Sequence, residues 1–95
     1  MTDPIAERQW VCARRLRERR LQLSLTQTEL VRRLSCRGVN LTNRTLSAME
    51  NGRGLDLRRL PEFAAVLSCS VTYLLGLTAD PLRWEPDVPL GSESP

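Results

Sequence analysis

The sequence, 95 residues long, predicts an all-α fold: a compact five-helix domain followed by an extended C-terminal tail. Three observations carry this. Two helix-start signatures stand close together, Thr26-Gln27-Thr28-Glu29-Leu30 and Thr42-Asn43-Arg44-Thr45-Leu46. Behind each, apolar residues recur at helical spacing, Leu30 and Leu34 at i, i+4 and Leu46 and Met49 at i, i+3. A chain of this length buries only about two-thirds of its unfolded surface, enough for several short helices around one core and not for a second folded domain.

The first helix is expected over residues 5–22, with Val11, Leu16 and Leu21 near one side and Arg8, Arg14, Arg15, Arg17 and Arg19 largely around the rest. Trp10 belongs on its apolar side or at a contact between two copies, and core packing is the favoured reading. The second helix starts at Thr26, whose hydroxyl caps it while Glu29 reaches back to the cap's amide, a capping box. The connection that follows, Ser35-Cys36-Arg37-Gly38-Val39-Asn40-Leu41, is longer than a helix-turn-helix usually has. Gly38 bends it and Leu41 anchors its end.

Thr42 caps the third helix, and Asn51-Gly52 gives the left-handed exit. Residues left outward on it are Asn43, Arg44, Ser47, Ala48 and Asn51, small, hydrogen-bonding or cationic groups suited to base edges and phosphates. Arg53 to Arg59 form a loop, and Pro61 sits in the first turn of a fourth helix where its missing amide costs nothing. Phe63, Ala64 and Leu67 face inward from that helix. Ser70 caps a short fifth helix, Val71 to Leu75, closed by Gly76. The helix-turn-helix domain is therefore placed at 1–78. Residues 79–95 hold four of the six prolines with acids and serines, a composition that builds no core. They are expected to be extended, or docked at a dimer contact through Leu82 and Trp84.

Charge is segregated. Residues 1–59 hold thirteen Arg against six acids, a net of +7, and residues 60–95 one Arg against five acids, a net of −4. Such asymmetry turns the first three helices toward a polyanion. All fourteen cations are Arg, which reads mainly as GC-rich coding and points to a high-GC bacterium or its phage. Cys12, Cys36 and Cys69 are odd in number, widely spaced and accompanied by no His, so neither a metal site nor a disulfide framework is expected. Cys12 and Cys69 read as small hydrophobes, and Cys36, in a polar turn, as the exposed thiol. With neither His nor Lys there is no Ser-His triad, no Ser-Lys dyad and no phosphate-loop lysine. Neither an enzyme nor a cofactor is expected. No apolar run spans a bilayer and no leader is visible, so a cytoplasmic protein is expected, with no membrane partner. RNA is disfavoured because only four aromatics are present and none lies on the third helix for base stacking.

Four strings occur in the order seen in one family: Leu-Thr-Gln-Thr-Glu-Leu at 25–30, Met-Glu-Asn-Gly at 49–52, Leu-Pro-Glu-Phe-Ala at 60–64 and Ser-Val-Thr-Tyr-Leu-Leu at 70–75. From about Leu16 to Leu77 the chain resembles the lambda-type phage repressor and Cro proteins, the XRE helix-turn-helix family. The resemblance implies a pairing of Arg20, at the end of the first helix, with Glu50, at the end of the third, which would also bring Arg20 near a phosphate. It implies that Gln27, Asn51 and Arg53 meet the DNA backbone, joined on charge grounds by Arg58. Thr42, Asn43, Arg44 and Ala48 then match positions that meet bases, with Ser47 beside them. The sequence departs from the family at Cys36 to Asn40, an insertion of about five residues familiar in actinobacterial relatives, and at Ala48, where a long polar residue is frequent.

The expected function is a Cro-like or immunity repressor that binds a near-palindromic site in double-stranded DNA as a homodimer, meeting its partner through Tyr73, Leu77 and Trp84. Alternatives are an antitoxin, a protein-interaction adaptor using the helices as scaffold, and a restriction-modification controller.

Overall fold

The computed structural model describes residues 3–88. The described chain is all-helical: α1 (Pro4–Gln22), α2 (Gln27–Ser35), α3 (Asn43–Glu50), a 3₁₀ turn (Leu57–Arg59), α4 (Leu60–Val66) and α5 (Val71–Leu74). α1 crosses the domain and packs against α3 and α5, while α2 packs against α3 and α4.

Local chemistry sets the helix starts. The Asp3 carboxylate accepts from the Ile5 amide at 3.0 Å, and Pro4 occupies the first turn, so α1 begins one residue earlier than expected. At α2 the capping box is complete: the Glu29 amide donates to Thr26 Oγ1 at 3.1 Å and the Thr26 amide donates to Glu29 Oε1 at 3.3 Å. The bond from the Thr26 amide, and then one from the Thr26 hydroxyl at 3.0 Å, hold the Glu29 carboxyl below its usual pKa. Thr42 Oγ1 accepts from the Thr45 amide at 3.0 Å, and Ser70 Oγ from the Tyr73 amide at 3.0 Å.

Seven large apolar side chains with no solvent exposure hold the centre: Leu16, Leu30, Leu34, Leu46, Phe63, Leu67 and Leu74. Truncating any of these leucines to Ala should cost about 2–5 kcal/mol. In the long connection, the Val39 amide donates to the Leu34 carbonyl at 3.0 Å after Gly38 turns the backbone at φ +84°. Val39 is buried and Leu41 only half-buried, so Val39 is the deeper anchor of this turn. Gly76 is required twice over. Its φ is +78°, and a Cβ there would come within 2.5 Å of Val11 Cγ1, so the close approach of the α5 exit to α1 needs a bare backbone.

Three expectations are corrected. Trp10 is 54% exposed and Leu21 52% exposed, whereas Cys12, Ala13, Leu16 and Arg20 are buried. At about 100° per residue, the spacing of five between Val11, Leu16 and Leu21 scatters them around the helix, while 12, 16 and 20 stay on one face. Tyr73, expected at a dimer contact, is 2% exposed, in the interior between α1 and the rest of α5, with the Arg15 guanidinium 4.5 Å over its ring. It has no surface to give a partner.

The third correction is how the tail docks. Residues 79–88 take the docked alternative and fold back on α5. Ser70 Oγ donates to the Arg83 carbonyl at 2.6 Å, Thr72 Oγ1 donates to the Trp84 carbonyl, and the Ser70 amide donates to the Pro81 carbonyl at 2.7 Å. Asp87 fastens the end of this segment, accepting from Thr78 Oγ1 at 2.7 Å and from the Ala79 amide at 3.0 Å. Polar groups make this docking; Leu82 and Trp84 point away, 72% and 61% exposed. The remainder of the expected tail, 89–95, lies outside the described residues.

Candidate nucleic-acid interface

The angle of α3 is fixed by a buried polar cluster. Arg20 Nε donates to Glu50 Oε2 at 2.7 Å and Nη2 to Glu50 Oε1 at 3.0 Å, a two-pronged ion pair between the ends of α1 and α3. Nη1 donates to the Leu25 carbonyl at 2.8 Å, and Gln27 Nε2 adds a bond to Glu50 Oε1 at 3.2 Å. One carboxylate thus joins α1, the start of α2 and the end of α3. Arg20 and Glu50 are 8% and 5% exposed, and no buried side-chain polar atom among the described residues lacks a partner. A satisfied network of this kind stiffens the elements it joins, since leaving any member unpaired in a low-dielectric interior is costly. Arg20 thus directs Nε, Nη1 and Nη2 at Glu50 and Leu25 from inside the fold, which ties the end of α1 to the end of α3.

A second tie sits at the other end of α3. Asn43 Nδ2 donates to Thr28 Oγ1 at 2.8 Å, linking the first residue of α3 to the second residue of α2. Thr28 was not singled out by sequence reasoning, and nothing local marks it: its partner lies fifteen residues away. Through this bond Asn43 is turned toward α2, with its side-chain oxygen left open.

Arg44, Ala48 and Asn51 follow at i, i+4 and i+7 and form the outward stripe of α3, opposite buried Leu46. Arg44 is exposed and has no hydrogen bond or ion pair among the described residues. Ser47 and Ala48 are half-buried beside it, and Asn51 Nδ2 closes onto the Ser47 carbonyl at 2.8 Å. Thr42 is exposed, its hydroxyl 2.9 Å from that of Thr45, which is also exposed and was missed in the sequence. Arg53 stands exposed just past the Gly52 turn at φ +83°. Arg58 is engaged by Asp56: Nε donates to Oδ1 at 3.2 Å and Nη2 to Oδ2 at 3.2 Å. Bonding from Arg58 holds the Asp56 carboxyl below its usual range. Thr42, Asn43, Arg44, Ala48, Asn51 and Arg53 therefore lie together on or beside one helix, whereas Arg58 is set apart and partnered.

Other chemistry is thinly represented. Burial pushes the Cys12 and Cys69 thiols up to about 11, far from the thiolate that a nucleophile or metal ligand needs. Among the described residues no cluster of His, Cys, Asp and Glu is arranged to hold a metal ion. No helix among them is long and apolar enough to cross a membrane.

No solved structure gives a significant match to this chain. A family model described as Helix-turn-helix matches residues 16–74, from the middle of α1 to the end of α5. That span contains the Arg20–Glu50 pair, the capped α2 and the whole of α3, and on this ground the chain belongs to the XRE-type, lambda repressor/Cro-like helix-turn-helix family of DNA-binding transcription regulators.

Proposed function

We propose that the protein is a homodimeric repressor, Cro-like or of the immunity type, that acts in the cytoplasm by occupying a near-palindromic operator. The observation that carries this reading is the outward stripe of α3 held at a set angle by the Arg20–Glu50–Gln27 cluster and the Asn43–Thr28 bond. Arg44, near the N-terminus of α3, reads a guanine edge through its two acceptors, and Thr42, Asn43, Ser47 and Ala48 complete the base-facing surface. Gln27, Asn51 and Arg53 contact phosphates, with Arg58 joining once it exchanges Asp56 for a phosphate oxygen. Two copies are needed because an eight-residue helix offers few base contacts.

Selection of binding sites from random duplex DNA with the purified chain tests this. The expected product is a motif with dyad symmetry and half-sites about 10 base pairs apart, centre to centre. Failure to enrich any motif would instead favour a protein-interaction adaptor.

A further inference from the structure

The long connection between α2 and α3 doubles back. Ser35 Oγ, at the end of α2, donates to Asn40 Oδ1 at 3.1 Å, and the Val39 amide donates to the Leu34 carbonyl at 3.0 Å. Three residues later, Asn43 Nδ2 donates to Thr28 Oγ1, in the first turn of α2. From Ser35 back to Thr28 is about 10 Å along the helix, a distance that about three extended residues cover. The last part of the connection therefore runs back along α2 and sets the start of α3 beside the start of α2.

That placement joins two outward faces. At about 100° per residue, Arg32 falls about 40° around α2 from Thr28 and opposite buried Leu30 and Leu34. On α3, Arg44 and Ala48 likewise fall opposite buried Leu46. The three leucines belong to one core, so the sides of α2 and α3 that face away from it form one surface, closed at its seam by the Asn43–Thr28 bond. Thr28 and Arg32 are both exposed on that surface. Arg32 has no ion pair among the described residues, and Glu29, the nearest acid in the chain, is drawn to the Thr26 cap. The Thr28 hydroxyl accepts from Asn43 and keeps its own proton to donate. Arg33 is also exposed, but it lies about 140° around the helix from Thr28, on the flank away from α3.

We infer that Thr28 and Arg32 form a phosphate clamp on α2. Standing at i, i+4, their side chains are neighbours about 5–6 Å apart at Cβ, so the guanidinium and the hydroxyl both reach one backbone phosphate on the groove wall beside α2. The same Thr28 oxygen holds Asn43 Nδ2, which leaves Asn43 Oδ1 to accept from a base amino group. One hydroxyl thereby couples a phosphate contact to a base contact. The clamp presupposes the reading above, in which α3 enters the major groove.

Binding of the full chain to its selected duplex over a range of salt, with ethylation interference to map the phosphates, tests the clamp. Arg32→Ala should weaken binding about 10-fold on every sequence, reduce the salt slope by about 1 per bound subunit and remove one phosphate per half-site from the map. Arg32→Lys should keep the slope. Arg33→Ala, which removes the same charge from the other flank, should change neither slope nor map. Thr28→Val should lose the same phosphate and also relax preference at the base pair that Asn43 reads, and Thr28→Ser should keep both. Thr28 and Arg32 lie at the surface, so all of these variants should retain the wild-type helical circular dichroism. Equal losses in Arg32→Ala and Arg33→Ala would overturn the clamp, since net charge alone would then account for both. So would an Arg32→Ala protein that matches wild type at every salt concentration, an outcome that would release this edge to an acidic protein partner. A wild-type chain that binds no duplex would overturn the clamp and the reading above together.

Discussion

Arg15, Arg19 and Arg20 on α1 and Arg44, Arg53 and Arg58 around α3 carry the same guanidinium, but the first three end on distant elements of the fold, whereas Arg58 meets only Asp56 in its own loop. Arg15 lies over the Tyr73 ring, Arg20 grips Glu50, and Arg19 donates to the Leu67 carbonyl at 2.9 Å and the Ser68 carbonyl at 2.9 Å, closing the C-terminal end of α4. Arg44 and Arg53 are exposed without partners among the described residues, and Arg58 is 90% exposed at its side chain. The net charge of the first 59 residues therefore overstates what a polyanion can reach. Half of this group of arginines holds the fold, and the other half faces outward.

Four experiments break or sharpen that contrast. The largest effect is expected from Glu50→Ala, which leaves the Arg20 guanidinium buried without its counter-ion. Unfolding in denaturant should show a loss of about 3–5 kcal/mol, accompanied by weaker binding to every DNA sequence. An unchanged midpoint would mean that Arg20 belongs with the outward group.

Arg44→Ala should leave the denaturation midpoint in place and act only on DNA. Discrimination should fall by about 1–3 kcal/mol at one symmetric pair of operator positions. If instead affinity for all sequences fell equally, Arg44 would be a phosphate contact and the base-reading role would pass to Asn43 or Ser47.

A paired comparison comes next. Arg19→Ala should cost about 2 kcal/mol of stability by removing charge-assisted bonds to two carbonyls, with no change in the salt dependence of binding. Arg53→Ala should do the reverse, leaving stability alone and reducing the slope of log affinity against log salt by about 1 for each phosphate no longer neutralised. Equal salt slopes for the two variants would erase the distinction between the groups.

The smallest effect concerns the docked segment. Hydrogen bonds from Thr78 and the Ala79 amide, in that order, hold the Asp87 carboxyl below its usual pKa. A lowered folded-state pKa means that its contribution is fully present above the ordinary carboxyl range and is lost as pH falls through the lowered value. Trp84 fluorescence should therefore report release of residues 79–88 below about pH 4. In Asp87→Asn that transition should be absent; if it persisted unchanged, another carboxyl would control the docking.

Much of the fold was legible because its determinants are local. Thr26 and Glu29 meet within one turn, Thr42 reaches Thr45, and Ser70 reaches Tyr73, so each helix start is written in four consecutive residues. The apolar spacing of Leu30, Leu34, Leu46 and Met49, with Phe63, Ala64 and Leu67, placed the core correctly. The Arg20–Glu50 pair spans thirty residues and was accessible only through resemblance, since no periodicity connects its partners.

Sequence alone determined that this chain is all-helical, where its helices begin, that Leu30, Leu34, Leu46 and Leu67 are interior and that the basic charge is concentrated in residues 1–59, because all but the last follow from contacts within a turn or from the helical period. Tertiary structure alone decided that Trp10 is outside and Tyr73 inside, that Arg19 caps α4 from forty-eight residues away, that Asn43 is turned toward Thr28, and that residues 79–88 fold back on α5. The physical reason is common to them. Each depends on how one helix crosses another, and a side chain's angular position on its own helix does not say which neighbour will stand in front of it.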